Sequence, residues 1–428
     1  MSKQTAQDYQ ITKADILTTG GRAVDVRSSM IELILYESIE RAFLTGTCLI
    51  VDTSNFVNQM KFTGTERLMV EVTNSNFGTA TREITFIMTK ISKSSKANEY
   101  TDAYVFQLLE EHAFFSRTQK ISRAYTGSPV TIINQLLSGL KDGLSLDTSR
   151  MGEEPVQQAM RIITPYITPL QAVEWIRDRT TTASGLPYFA YASIKNSNIH
   201  FKSLAEILRV QPWNKSPFTY SQSTTTADDA DVYGIKSVEQ NDVDDTLTSI
   251  MNGAVTARWE VVDIFKQKFN SEPTRQYKVN TLLPNNTVYD TDLEINGKNI
   301  LDYQPKVFYH VVASNLFSDD FTSYHDDNNL DTLVTKINNK GIRNALFKNM
   351  MTVELSGAPF MIADVATVGT SINLSFLSKE SGDTTDSKKS GNYIIMALRH
   401  TFQQSEHTVT AEVTKLTNVE TADYSSIT

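Results

Sequence analysis

The chain has 428 residues, with 40 Lys and Arg against 49 Asp and Glu for a net charge of −9, and it contains 18 Gly, 11 Pro and a single Cys. At about 100 to 200 residues per domain this length implies roughly two to four domains, and Gly and Pro usage below average excludes collagen-like, low-complexity and disordered chains. The acidic excess argues against a broad phosphate-binding face, the lone Cys48 excludes an internal disulfide and a cysteine-based zinc site, and no apolar run approaches the roughly 18 residues of a membrane helix.

The first 20 residues are polar, lack both an apolar period and a signal-peptide core, and read as an arm that ends at Gly20-Gly21. Short apolar and β-branched runs at 30–37, 47–52, 66–73 and 82–91, punctuated by Gly, Asn, Ser and Thr, then predict the strands of a barrel or sandwich within 21–118. Cys48 falls in the run Leu44-Thr-Gly-Thr-Cys-Leu-Ile-Val-Asp52 and reads as a buried thiol rather than a nucleophile. That run is echoed at Leu355-Ser-Gly-Ala-Pro-Phe-Met-Ile-Ala-Asp364, a match short enough to arise from strand and turn grammar alone.

Over 119–215 the period changes. The stretch 128–140 puts Ser128 at an N-cap, Pro129 at the first helical position and Ile132, Ile133, Leu136, Leu137 and Leu140 on one face. Thr168 and Gln171 fit a capping box ahead of Leu170, Val173, Trp175 and Ile176, and strand candidates follow at 186–193 and 199–201, so this region reads α+β. The segment 221–245 carries seven acids against Lys236 and reads as a boundary. Strand-like runs at 257–264 and 307–313 and a helix over 330–350, broken or kinked near Gly341, fill 246–344. Strict alternation returns at 351–356 and 409–415, with a polar loop at 381–391 between them.

The chain lacks a GxSxG elbow, a P-loop, a GxGxxG fingerprint and an HExxH motif. His112, His200, His310, His325, His400 and His407 are scattered; His400 and His407 sit in alternating strands, where a sheet-face role outweighs a metal pair. Neither the acidic run 319–331 nor 290–297 has the ligand spacing of a calcium loop. The expectation is no catalytic, cofactor-binding or metal-binding residue and no cofactor.

Seven segments in order carry a resemblance: Ile31-Glu-Leu-Ile-Leu-Tyr-Glu-Ser-Ile39 with Leu44-Thr-Gly, Gly64-Thr-Glu-Arg-Leu68, Ser122-Arg-Ala-Tyr125, Thr168-Pro-Leu-Gln-Ala-Val-Glu-Trp-Ile176 with Leu186-Pro-Tyr-Phe-Ala-Tyr191, Ile199-His-Phe-Lys-Ser-Leu204, Met351-Thr-Val-Glu-Leu-Ser-Gly-Ala-Pro359, and Ser390-Gly-Asn-Tyr-Ile-Ile-Met-Ala-Leu-Arg-His-Thr-Phe402. Over about 28–418 the chain resembles the baseplate hub proteins of contractile-tailed bacteriophages, related in fold to the first part of type VI secretion spike proteins. The resemblance implies two tail-tube-like β-barrels, the first over 21–118, in a mainly β fold with α+β parts; because neither 233–238 nor the stretch from 351 has enough strands to close a barrel alone, the second is expected to be split between 216–245 and 345–418 around an inserted domain at 246–344, with an α+β domain at 119–215 and a tail at 419–428. It further implies a non-enzymatic structural virion protein, assembled in the host cytoplasm, whose homotrimer joins a sixfold tail tube to a threefold central spike among surrounding baseplate proteins. DNA would pass transiently through its lumen, with no stable membrane association. The alternatives are a receptor-binding adhesin and, third, a cell-wall hydrolase.

Overall fold

The computed structural model describes residues 9–18, 20–74, 79–155, 160–214, 216–220, 232–240, 245–263, 267–270, 276–282, 293–312, 330–348, 350–363, 365–378, 385–386, 389–404 and 406–415. The first part builds strands β1 (Tyr9–Leu17), β2 (Ala23–Asp25), β3 (Met30–Ser38) and β4 (Thr45–Asp52), helix α1 (Phe56–Met60), and strands β5 (Arg67–Asn74), β6 (Thr79–Ala80), β7 (Ile84–Asn98) and β8 (Thr101–Glu110). Alternation drives it: in β4 Gly46, Cys48, Ile50 and Asp52 are buried while the residues between them are half-buried, and β5 repeats the pattern through Leu68, Val70 and Val72. The strands pair antiparallel in the order β2-β1-β5-β7-β8-β4-β3 and wrap one core.

Residues 9–17 correct the expected arm. They form β1, paired along β5, with Ala14 and Ile16 fully buried. Tyr9 and Ile11 pack against the same core, but a bulge between Ile11 and Lys13 shifts the phase of the inward residues within the strand, so no single apolar period registers in sequence.

The next region holds α2 (Glu111–Arg117), β9 (Ala124–Gly127), α3 (Pro129–Ser138), β10 (Leu146–Asp147), β11 (Met160–Ile163), α4 (Pro169–Arg177), β12 (Tyr188–Tyr191), β13 (Ile199–Ser203) and α5 (Leu204–Arg209). Ser128 Oγ accepts from the Thr131 N–H at the start of α3, and Thr168 with Gln171 makes both bonds of a capping box on α4. Ile132, Ile133, Leu136, Leu170, Val173 and Ile176 pack these helices into the core of the first barrel.

The chain continues through β14 (Phe218–Tyr220), β15 (Gly234–Gln240), α6 (Thr246–Asn252), β16 (Thr256–Asp263), β17 (Lys268–Asn270), β18 (Gln276–Lys278), α7 (Val279–Leu282), β19 (Glu294–Ile295), β20 (Lys298–Asn299), β21 (Val307–Val312) and α8 (Leu330–Lys348). It ends in β22 (Met350–Ser356), α9 (Ala358–Ile362), β23 (Ser371–Ser375), β24 (Gly391–Gln403) and β25 (Glu406–Thr414). Strands β24, β23, β14, β15, β22 and β25 pair in that order, and the β24–β25 hairpin closes the ring, leaving this six-stranded barrel without a free edge. Two of its strands precede the stretch from α6 to α8 and four follow it. The core runs on from Val353, Leu374 and Val413 of the barrel into Tyr277, Ile300, Ile342 and Leu346 of that stretch.

Helix α8 is continuous through Gly341, where a break was expected. A Cβ at this position would stand 2.5 Å from Cζ of the buried Tyr277, so the glycine serves close packing of helix on ring rather than termination. The echoed segments also diverge: 45–52 is strand, whereas 358–362 is helix.

Candidate functional site

The two barrels form one 14-stranded sheet through a single seam, β3 against β24, antiparallel from Ser38↔Ala397 to Glu32↔Gln403. Each side lends a residue to the other. Phe402 of β24 belongs to the first core, where its ring stands 4.2 Å from His407 and 5.1 Å from Tyr9, and Ile39, just past β3, belongs to the second. The Ile39 N–H bonds the Met396 carbonyl at 2.9 Å, so the pairing continues beyond the strand.

Buried charge pins the seam to its neighbours. Glu37, 1% exposed, accepts from Thr367 Oγ1 at 2.5 Å and from the Ile194 N–H at 2.9 Å, tying β3 to the α+β region and to the second barrel. Burial pushes its carboxyl up despite these bonds. Glu110 bonds Arg82 at 2.5 Å and the Leu44 N–H at 2.7 Å; burial would raise its carboxyl, but His112 and Arg82 outweigh it and hold it low. At the third junction Glu40 takes both Arg177, at 2.8 Å, and Arg343. Arg343 also bonds the Tyr188 carbonyl and Asn339, each at 2.7 Å, and stacks 4.7 Å over Phe189, so α8 is fastened to α4, β12 and the turn after β3. Because breaking a buried pair strands its partner charge, such junctions fix geometry.

The outward face of the shared sheet crosses both barrels. One cross-strand row runs through Glu354, Thr410, Arg399, Tyr36 and Thr45, and the next through Thr408, Thr401, Ile34, Thr47 and Gln107. Arg399 donates to Thr410 Oγ1 at 3.0 Å, and Lys236 pairs with Glu406. The face is rich in hydroxyls and its charges are of both signs.

The residues weighed in sequence lie elsewhere. Cys48 is buried, and burial pushes its thiol up to about 12. His112 Nε2 lies 2.8 Å from the Ala42 carbonyl. His200 sits 3.3 Å from Asp147, and burial lowers it to about 4. His400 and His407 do meet, ring nitrogen to ring nitrogen at 3.2 Å, fully buried between Phe402 and Phe360 rather than open to a metal. Among the described residues no cluster of three or more His, Cys, Asp or Glu side chains has metal-binding geometry. His325 and 319–329 lie outside the described residues, as does the His310 side chain. The 290–297 stretch ends in a tight hairpin between β19 and β20, with Asn296 and Gly297 both at positive φ. The residues that matter at the seam, Glu37, Glu40 and Arg343, escaped the motif search. Glu37 had a signal, since it falls in phase with inward Leu33 and Leu35.

Comparison with solved structures finds a tail protein from Neisseria meningitidis at 12% identity and a TM-score of 0.56, covering 97% of this chain and 99% of that one. The 43 kDa tail protein of prophage MuSo2 from Shewanella oneidensis matches at 9% identity and 0.51, covering 96% and 97%. No family model and no curated protein matches the sequence. The chain has the mainly β, barrel-based fold of these tail proteins, so the resemblance read from sequence holds at the level of fold.

Proposed function

We infer that the chain is a structural subunit of a phage-type tail, a baseplate hub carried in the virion and assembled in the host cytoplasm. The observation that carries this is the seam: one chain holds a seven-strand array around its first core and a closed six-stranded barrel around its second, side by side in one sheet. Three copies around an axis would supply six barrels, a pseudo-sixfold ring able to meet a sixfold tube on one side and a threefold spike on the other. Buried polar junctions suit an adaptor that must hold its barrels at a fixed angle.

In this reading 246–344 is an inserted domain that leaves the ring and contacts surrounding baseplate proteins, while the hydroxyl-rich outer face of the shared sheet lines the channel. Threonines with charges of both signs release few counter-ions on meeting DNA, so DNA slides past without being held. Light scattering on the chain mixed with its tube and spike proteins tests the assembly. A trimer at about three times 48.0 kDa is expected, and a persistent monomer overturns the reading.

A further inference from the structure

Between α6, β21 and α8 lies a half-open cavity of about 360 Å³, lined among others by Asn252, Lys306, Phe308, Lys340, Asn344 and Phe347. Lys340 Nζ stands 4.5 Å from the centroid of the Phe308 ring and Lys306 Nζ 5.4 Å from it, so two ammonium groups lie against one aromatic ring on the cavity wall. Neither lysine has an ion-pair partner among the described residues, although the chain carries nine more acids than bases. Phe347, on the cavity wall, is 40% exposed. Two unpaired like charges beside exposed apolar surface are complementary to a carboxylate joined to an apolar side chain. The described lining offers no arginine fork, the feature that favours bidentate phosphate recognition.

We propose that this cavity is a docking site for an acidic segment of a partner protein, in which a carboxylate bridges Lys306 and Lys340 while a neighbouring apolar side chain covers Phe347. The site stands apart from the hub reading and from any trimer.

The test is fluorescence anisotropy of a labelled Glu-Asp-Leu-Asp-Glu peptide titrated with the full chain. Saturable binding is expected, about tenfold weaker in Lys340→Glu and unchanged in the control Lys93→Glu on exposed β7. If Lys340→Glu fails to fold, Lys340→Gln at the same exposed position should still weaken binding about threefold. Three results each overturn the proposal: no saturable binding by the unsubstituted chain, equal affinity in the Lys340 variants, or displacement of the peptide by millimolar inorganic phosphate, which would mark a simple anion site. Tighter binding after replacement of Asp319, Asp320, Asp326 and Asp327 by Asn would also overturn it, by showing that the chain fills the cavity itself.

Discussion

Phe402→Ala and Ile39→Ala should uncouple the two barrels. Both side chains are essentially fully buried, and each lies in the core opposite its own strand. Truncation of such a Phe costs about 3–5 kcal/mol and of such an Ile about 2–5 kcal/mol. Phe402 pairs with Leu33, whereas Ile39 lies at the other end of the seam beside Met396, so the sites share no partner and their costs should add to within about 0.5 kcal/mol. Calorimetry and urea unfolding should show one transition in the unsubstituted chain, and in the double variant two, as each barrel melts by itself. Gln403→Ala, outward on the same strand, should be near neutral. If Phe402→Ala costs no more than Gln403→Ala, or the double variant still unfolds in one step, the seam does not couple the barrels and the reasoning fails.

Arg343→Ala should cost about 3 kcal/mol in urea, because it strands the Tyr188 carbonyl and half of the Glu40 pairing, and Arg343→Lys should recover only part; an unchanged midpoint for the alanine variant would refute the junction. Gly341→Ala should destabilise by about 1–3 kcal/mol through collision with Tyr277, outweighing the roughly 1 kcal/mol that alanine gains in a helix, so a raised melting temperature would contradict it. Burial lowers His400 from its ordinary 6.5 to about 3 and His200 to about 4. The unfolded chain therefore binds protons first as pH falls, and the stability these neutral rings carry is whole above pH 6.5 and drains below it. Each contributes up to about 1.4 kcal/mol per pH unit. Melting temperatures should fall between pH 7 and 5, less steeply in His200→Gln; a flat profile would contradict the burial of these rings.

Local chemistry was legible in the sequence. The Ser128 and Thr168 caps, the alternation of 351–356 and the apolar β4 run each declare themselves within a dozen residues, and the ordered segments pointed to the barrel fold. What stayed hidden is non-local. Nothing near Glu32 announces Gln403, and Glu40 meets Arg343 only after three hundred residues of chain have folded between them. Gly341 misled because a helical glycine reads as a break until the Tyr277 ring is seen against it. Strand β1 was missed because a bulge between Ile11 and Lys13 breaks the alternation of its inward residues.

Electron microscopy of the chain assembled with its tube protein tests the central claim most directly. Class averages should show rings in which three copies present six similar barrels around one axis, two per chain, joined as β3 joins β24. Single particles with no ring, or rings in which the chain's two barrels do not sit side by side around the axis, would contradict the account.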